Sequence, residues 1–125
     1  VPGVDAYLDH AMAIPGAIGA GIVDYGTGTP LGTTGGTPED DRALAAGAAR
    51  VMAAVTRGGP FSSATPDDDL EDLIITSQSG YHLIRRIPTE FDARLVLYLW
   101  LDRERGNLAV ARRSLQELGG HLVGA

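Results

Sequence analysis

Cysteine is absent from the 125 residues, which excludes disulfide staples, thiolate metal sites and a thiol nucleophile. Lysine is absent as well, all ten basic residues being arginine. A Walker-type phosphate loop, a Schiff-base lysine and a serine–lysine dyad are thereby excluded. Histidine is scarce: His10, His82 and His121 are scattered without ligand spacing, so no metal is expected. No apolar run approaches the roughly 20 residues of a membrane span, the longest being Leu95 to Leu101. No leader-like pattern of basic, apolar and small residues opens the sequence, and the expected location is cytoplasmic. Positive charge is in deficit, and a net charge of −6 argues against nucleic acid or an anionic membrane as partner.

What is present suits a folded domain. Hydrophobic residues at 44% and charged residues at 21% are ordinary for a globular chain and imply neither disorder nor a membrane protein. The length fits one domain, residues 1–125, burying about two-thirds of the unfolded chain's surface. Arginine without lysine, together with abundant alanine and glycine, reads as the codon bias of a GC-rich genome.

Periodicity and turn residues give an element order. Val4 to Ile14 places Val4, Leu8, Ala11 and Met12 at helical spacing, and Pro15-Gly16 stops the helix. Ala17 to Tyr25 is small and apolar on both faces, as an inner strand is. Gly26-Thr27-Gly28 turns the chain into a short strand, Pro30 to Thr34, whose leading proline suits a strand's first residue or outer edge. Thr37 then caps a helix, with Pro38 at its first position and Glu39, Asp40 and Asp41 on the positive end of its dipole. This helix is expected to reach about Arg57 and to stop at Gly58-Gly59-Pro60.

A polar loop with Asp67-Asp68-Asp69 leads to two strands, Leu70 to Ser77 and Tyr81 to Ile87. After a turn at Pro88 to Ala93 comes Arg94 to Asp102, where Leu95, Leu97, Leu99 and Leu101 oppose Val96, Tyr98 and Trp100. Both faces are apolar, so this strand should be central, with a layer on each side. Asn107 caps a last helix, Leu108 to Leu118, ended by Gly119-Gly120. The fold class is α+β, in the order α-β-β-α-β-β-β-α: a five-stranded, mostly antiparallel sheet with helices on both faces.

The motifs that carry chemistry elsewhere are incomplete here. Gly16, Gly19 and Gly21 have the dinucleotide spacing reversed and sit in a strand that leads to another strand, so they read as glycines permitting close packing against a helix. Asp67-Asp68-Asp69 lacks the spacing of a calcium loop. Ser77 and His82 lie on strands without a nucleophile elbow. No catalytic residue, cofactor or metal is therefore assigned, and no enzyme is expected. Arg85, Arg86 and Arg103 are candidate partner contacts, guanidinium being suited to anionic surfaces.

The most informative stretch is Ala45-Ala46-Gly47-Ala48-Ala49 on the second helix. Glycine inside a helix costs about 0.5–1 kcal/mol relative to alanine, and small residues let two backbones approach closely. Leu73 and Ile75, opposite Asp72, Ile74 and Thr76, make the next strand apolar on both sides, and such a strand at an edge needs a partner. The small-residue patch lets the helix either lie tight on its own sheet or, in addition, meet a second subunit, for which Leu44, Gly47, Ala48, Val51, Leu73 and Ile75 are the candidate dimer contacts.

These pieces in this order resemble the roadblock/dynein-light-chain domain, in particular its stand-alone actinobacterial members. The resemblance rests on Ile14-Pro15-Gly16-Ala17, on the hairpin from Val23 to Thr33, and on Leu70-Glu71-Asp72-Leu73-Ile74-Ile75-Thr76. It continues through Tyr81-His82-Leu83-Ile84-Arg85 and the run from Leu97 to Arg112, and so spans essentially the whole chain. It departs in the first hairpin, where Asp24-Tyr25-Gly26-Thr27-Gly28 replaces the serine-aspartate-glycine turn usual in bacterial members of GTPase-linked operons.

The resemblance implies a profilin-like sheet with the second helix on one face and the terminal helices on the other. It also implies a homodimer joined through second helices and third strands. Its members regulate or scaffold partners, among them small Ras-like GTPases, without enzyme chemistry of their own. A small-molecule-sensing domain of similar architecture is the alternative.

Overall fold

The computed structural model describes residues 3–55, 70–87 and 94–118, the side chain of Pro38 excepted. The expected Asp67-Asp68-Asp69 loop, the stop at Gly58-Gly59-Pro60, the 88–93 turn and Gly119-Gly120 fall outside them.

Helix α1 (Val4–Met12) buries Val4, Tyr7, Leu8 and Ala11, a stripe at helical spacing. It ends before Ile14, whose side chain is nonetheless buried in the turn that follows. Gly16 has φ +88°, and a Cβ there would meet the Gly106 backbone at 2.5 Å. The turn after α1 thus sits directly on the turn that precedes the last helix. Strand β1 (Ala17–Asp24) and strand β2 (Thr29–Gly35) form a hairpin. The Asp24 carboxylate closes its turn by accepting from the Gly26 amide at 2.8 Å.

Helix α2 (Pro38–Val55) starts where the cap residues require, with the Asp40 amide donating to Thr37 Oγ1 at 3.2 Å. Strand β3 (Asp72–Thr76) is shorter at both ends than the expected Leu70 to Ser77. At its far end Ser77 leaves the strand to close a tight turn, its hydroxyl donating to the Gly80 carbonyl at 3.0 Å and accepting from the Gly80 amide at 3.2 Å. Strand β4 (Gly80–Ile87) and strand β5 (Leu95–Asp102) follow, then helix α3 (Leu108–Leu118). Asn107 Oδ1 caps α3 by accepting from the Val110 amide at 3.1 Å.

The five strands form one antiparallel sheet in the order β2-β1-β5-β4-β3. The chain lays down two strand groups and returns β5 between them, so the strand apolar on both faces takes the centre. Its alternation then sorts the core. Leu95, Leu97, Leu99 and Leu101 join Ala20, Ile22, Leu83 and Ile87 beneath α1 and α3. Val96 and Tyr98 join Val23 and Ile84 beneath Ala45, Ala48 and Met52 of α2. Helices therefore cover both faces, with α1 and α3 together on one and α2 alone on the other.

Candidate interaction surface

α2 presents two different sides. Ala45, Ala48 and Met52 face its own sheet and are buried, and small side chains there let the helix lie low. Ala48, at 3% exposure, is enclosed by its own chain. Leu44, Val51 and Val55 are half-buried along one flank. Gly47 shares that flank by helical spacing, and a Cβ placed on it would meet nothing within 4 Å. Among the described residues its lack of bulk serves no contact.

Leu73 of β3 packs against the same cluster as this flank. β3 is an outermost strand, paired on one side only, with β4. Its alternation sends Leu73 toward the α2 layer and Ile74 toward the α1/α3 layer. Ile75 is register-paired with His82 and is 43% exposed, one of two large apolar side chains so exposed among the described residues. β2, the other outermost strand, carries Pro30 near its start, and its pairing with β1 has an irregular register between Ile22 and Val23. Both features blunt an edge, whereas β3 is unblunted.

The three candidate arginines are not brought together. Arg85 lies on the α1/α3 face, 3.6 Å from Asp72, and its buried Nη1 makes no hydrogen bond among the described residues. Asp72 also accepts from Arg112 of α3, at 2.8 Å from Nε and 3.4 Å from Nη2, which ties the last helix to the edge strand. This contact raises the Arg112 pKa, first through the hydrogen bond and then through the carboxylate's charge. Arg86, the next residue along β4, points to the opposite face and is exposed. Arg103 donates from Nη1 to the Ser77 carbonyl at 2.9 Å and lies over the Tyr81 ring, 5.6 Å from its centroid. It braces the β3–β4 turn against the end of β5.

Two features escape a one-dimensional reading. The His82 and Trp100 rings stack at 5.8 Å with 19° between planes, because β4 and β5 pair these residues directly. Only strand order reveals that neighbourhood. Tyr98 lies across Gly21 of β1, where a Cβ would come within 2.5 Å of the ring. This glycine therefore makes room for an aromatic side chain of the neighbouring strand, not for a helix. Among the described residues the buried Tyr98 hydroxyl has no hydrogen-bond partner. Burial, with a smaller contribution from Asp41, pushes its pKa up to about 12. Burial pushes Tyr7 to about 12 as well, with Arg85 opposing. Among the described residues no group of three histidine, aspartate or glutamate side chains is placed to hold a metal ion.

An antiparallel sheet in the order 2-1-5-4-3, with one helix on one face and the terminal helices on the other, is the roadblock fold, of profilin-like α+β class. MglB of Myxococcus xanthus is similar to the chain with a TM-score of 0.78 and 18% identity, over 98% of this chain and 94% of that one. The Roadblock/LC7 domain of Streptomyces avermitilis is similar with a TM-score of 0.70 and 16% identity, over 93% and 91%. An MglB solved in a tetrameric arrangement is similar with a TM-score of 0.78 and 15% identity, over 97% and 85%. No family model matches the sequence, and no curated protein matches it. The likeness is one of fold. Among the described residues no helix is long and apolar enough to cross a membrane.

Proposed function

We propose that this chain is a single-domain, cytoplasmic, non-enzymatic homodimer that scaffolds or regulates a partner protein, a small Ras-like GTPase. The observation that carries the reading is an α2 flank and a β3 edge that pack on one apolar cluster through Leu44, Val51 and Leu73, with Ile75 exposed and, among the described residues, nothing within 4 Å of a Cβ on Gly47. A two-fold axis beside β3 would pair each edge with its copy and bring Leu44, Gly47 and Val51 of one helix against the other. Such an isologous contact needs only one self-complementary patch. An MglB of this fold is itself found in a tetrameric arrangement, which supports self-association. The GTPase partner rests on the roadblock resemblance and on the absence of a catalytic constellation in the sequence. Exposed Arg86 is the guanidinium best placed to meet an anionic partner.

Solution mass by light scattering tests the dimer. The wild type is expected at twice the chain mass and Gly47→Arg at the chain mass, because a guanidinium stem would enter the helix contact. A wild-type monomer at high concentration would overturn the reading. Binding of the intact dimer to small GTPases in the GDP- and GTP-bound states then tests the partner. Equal absence of binding in both states would remove it.

A further inference from the structure

On the α2 face, Ile75, His82 and Trp100 form one row running inward from the β3 edge, fixed by the register of β3 on β4 and of β4 on β5. Ile75 is exposed, while the two stacked rings are half-buried. The imidazole is the polar member of this row. A second copy that covers Ile75 takes further water from His82 and offers its own apolar β3 in exchange.

We propose that His82 makes self-association pH-dependent: the joined face accepts the neutral imidazole, and protonation of His82 in both copies opens the dimer. The inference rests on the dimer reading above. On β3 the residues of this face are Leu73 and Ile75, with no titratable group. On β4 Arg86 lies four residues along the same face. On β5 Asp102 follows beyond Trp100, where it is occupied by the Glu104 and Arg105 amides and by Arg105. On α2 the first-turn carboxylates Asp40 and Asp41 follow the Gly35 end of β2, three strands from β4. None of these charges moves His82, whose pKa burial alone holds below the usual histidine value.

The sign follows from linkage. A dimer that binds fewer protons than two separate chains is strongest above the free-chain pKa and weakens as pH falls through it. A further downward shift of about one unit per imidazole would weaken the dimer about 100-fold across the window, two histidines acting together. Carboxylates with ordinary values near 4 titrate below this range.

The experiment is sedimentation equilibrium of the intact chain at pH 7.5, 6.5 and 5.5, for wild type, His82→Gln and a His10→Gln/His121→Gln control. The dissociation constant is expected to rise progressively from pH 7.5 to 5.5 in wild type and control and to stay flat in His82→Gln. A histidine NMR titration of wild type, in which the His82 pKa falls as protein concentration rises, gives the same answer without a variant. A wild-type dimer with a flat dissociation constant, or His82→Gln with the wild-type slope, overturns the switch and leaves the dimer standing. A monomer at pH 7.5 at every concentration overturns the dimer and the switch with it.

Discussion

Tyr98 occupies the space that Gly21 leaves open, and both halves of that arrangement are testable. Gly21→Ala would drive a methyl group into the ring at 2.5 Å, an overpacking that costs about 1–3 kcal/mol. Urea unfolding should show a lower midpoint with an unchanged slope, and Tyr98→Leu in the same chain should recover part of the loss. Tyr98→Phe removes a buried hydroxyl that has no partner, and leaving such a group unpaired costs about 1–3 kcal/mol. The phenylalanine variant should therefore be as stable as wild type or more so. A fall in its unfolding midpoint would show that the hydroxyl is satisfied after all.

The same hydroxyl sets an alkaline limit. Tyr98 and Tyr7 are held at about 12 in the folded chain against an ordinary 10. Stability is thus full below pH 10 and is lost as pH rises from about 10 to 12, because the unfolded chain gives up its phenolic protons first. Tyr98→Phe should flatten part of that fall in a circular-dichroism denaturation series.

At the scale of elements, Asp72 joins three pieces: β3, β4 through Arg85, and α3 through Arg112. Asp72→Ala leaves two guanidinium groups facing one another, with Arg85 Nη1 already buried and unbonded. The expected loss is on the order of 2 kcal/mol, below that of a fully buried pair because water reaches both arginines. Arg112→Ala should cost less, since Asp72 keeps Arg85 and Arg112 is 39% exposed. Hydrogen exchange should show α3 opening more readily in both variants.

Elements whose sequence carries their own signal were legible in one dimension. The alternation from Leu95 to Leu101 marks β5 as central, and Thr37 with the following acids marks the start of α2. Leu73 and Ile75 were legible as one face of β3 for the same reason. Tyr7 joins the α1 stripe although the sequence favours Met12, which is only half-buried, because both positions satisfy a 3.6 period. Arg85 beside Asp72, and His82 on Trp100, depend on strand pairing between residues distant in the chain. The same holds for Gly21, whose partner ring is 77 positions away in sequence. Period and propensity describe a residue's own element and are silent about the neighbouring strand.

For the whole molecule, the proposed dimer depends on which edge of the sheet pairs with a second copy. β2 and β3 are both outermost, and an unpaired strand is a template for another chain. β2 carries a proline, and α2 packs over it and β1. β3 has no proline, exposes Ile75 and sends Leu73 to the same apolar cluster as Leu44 and Val51 of α2. A lysine at either edge places an ammonium group where a paired strand would have to exclude water, a cost to association and not to folding at an exposed site. Ile75→Lys should therefore convert the dimer to the chain mass in light scattering while its thermal midpoint changes little. Thr33→Lys, on exposed β2, should leave the mass at twice the chain. If Thr33→Lys alone breaks the dimer, pairing runs through β2. The Gly47 flank would then be free for a partner protein, and the two surfaces would exchange roles.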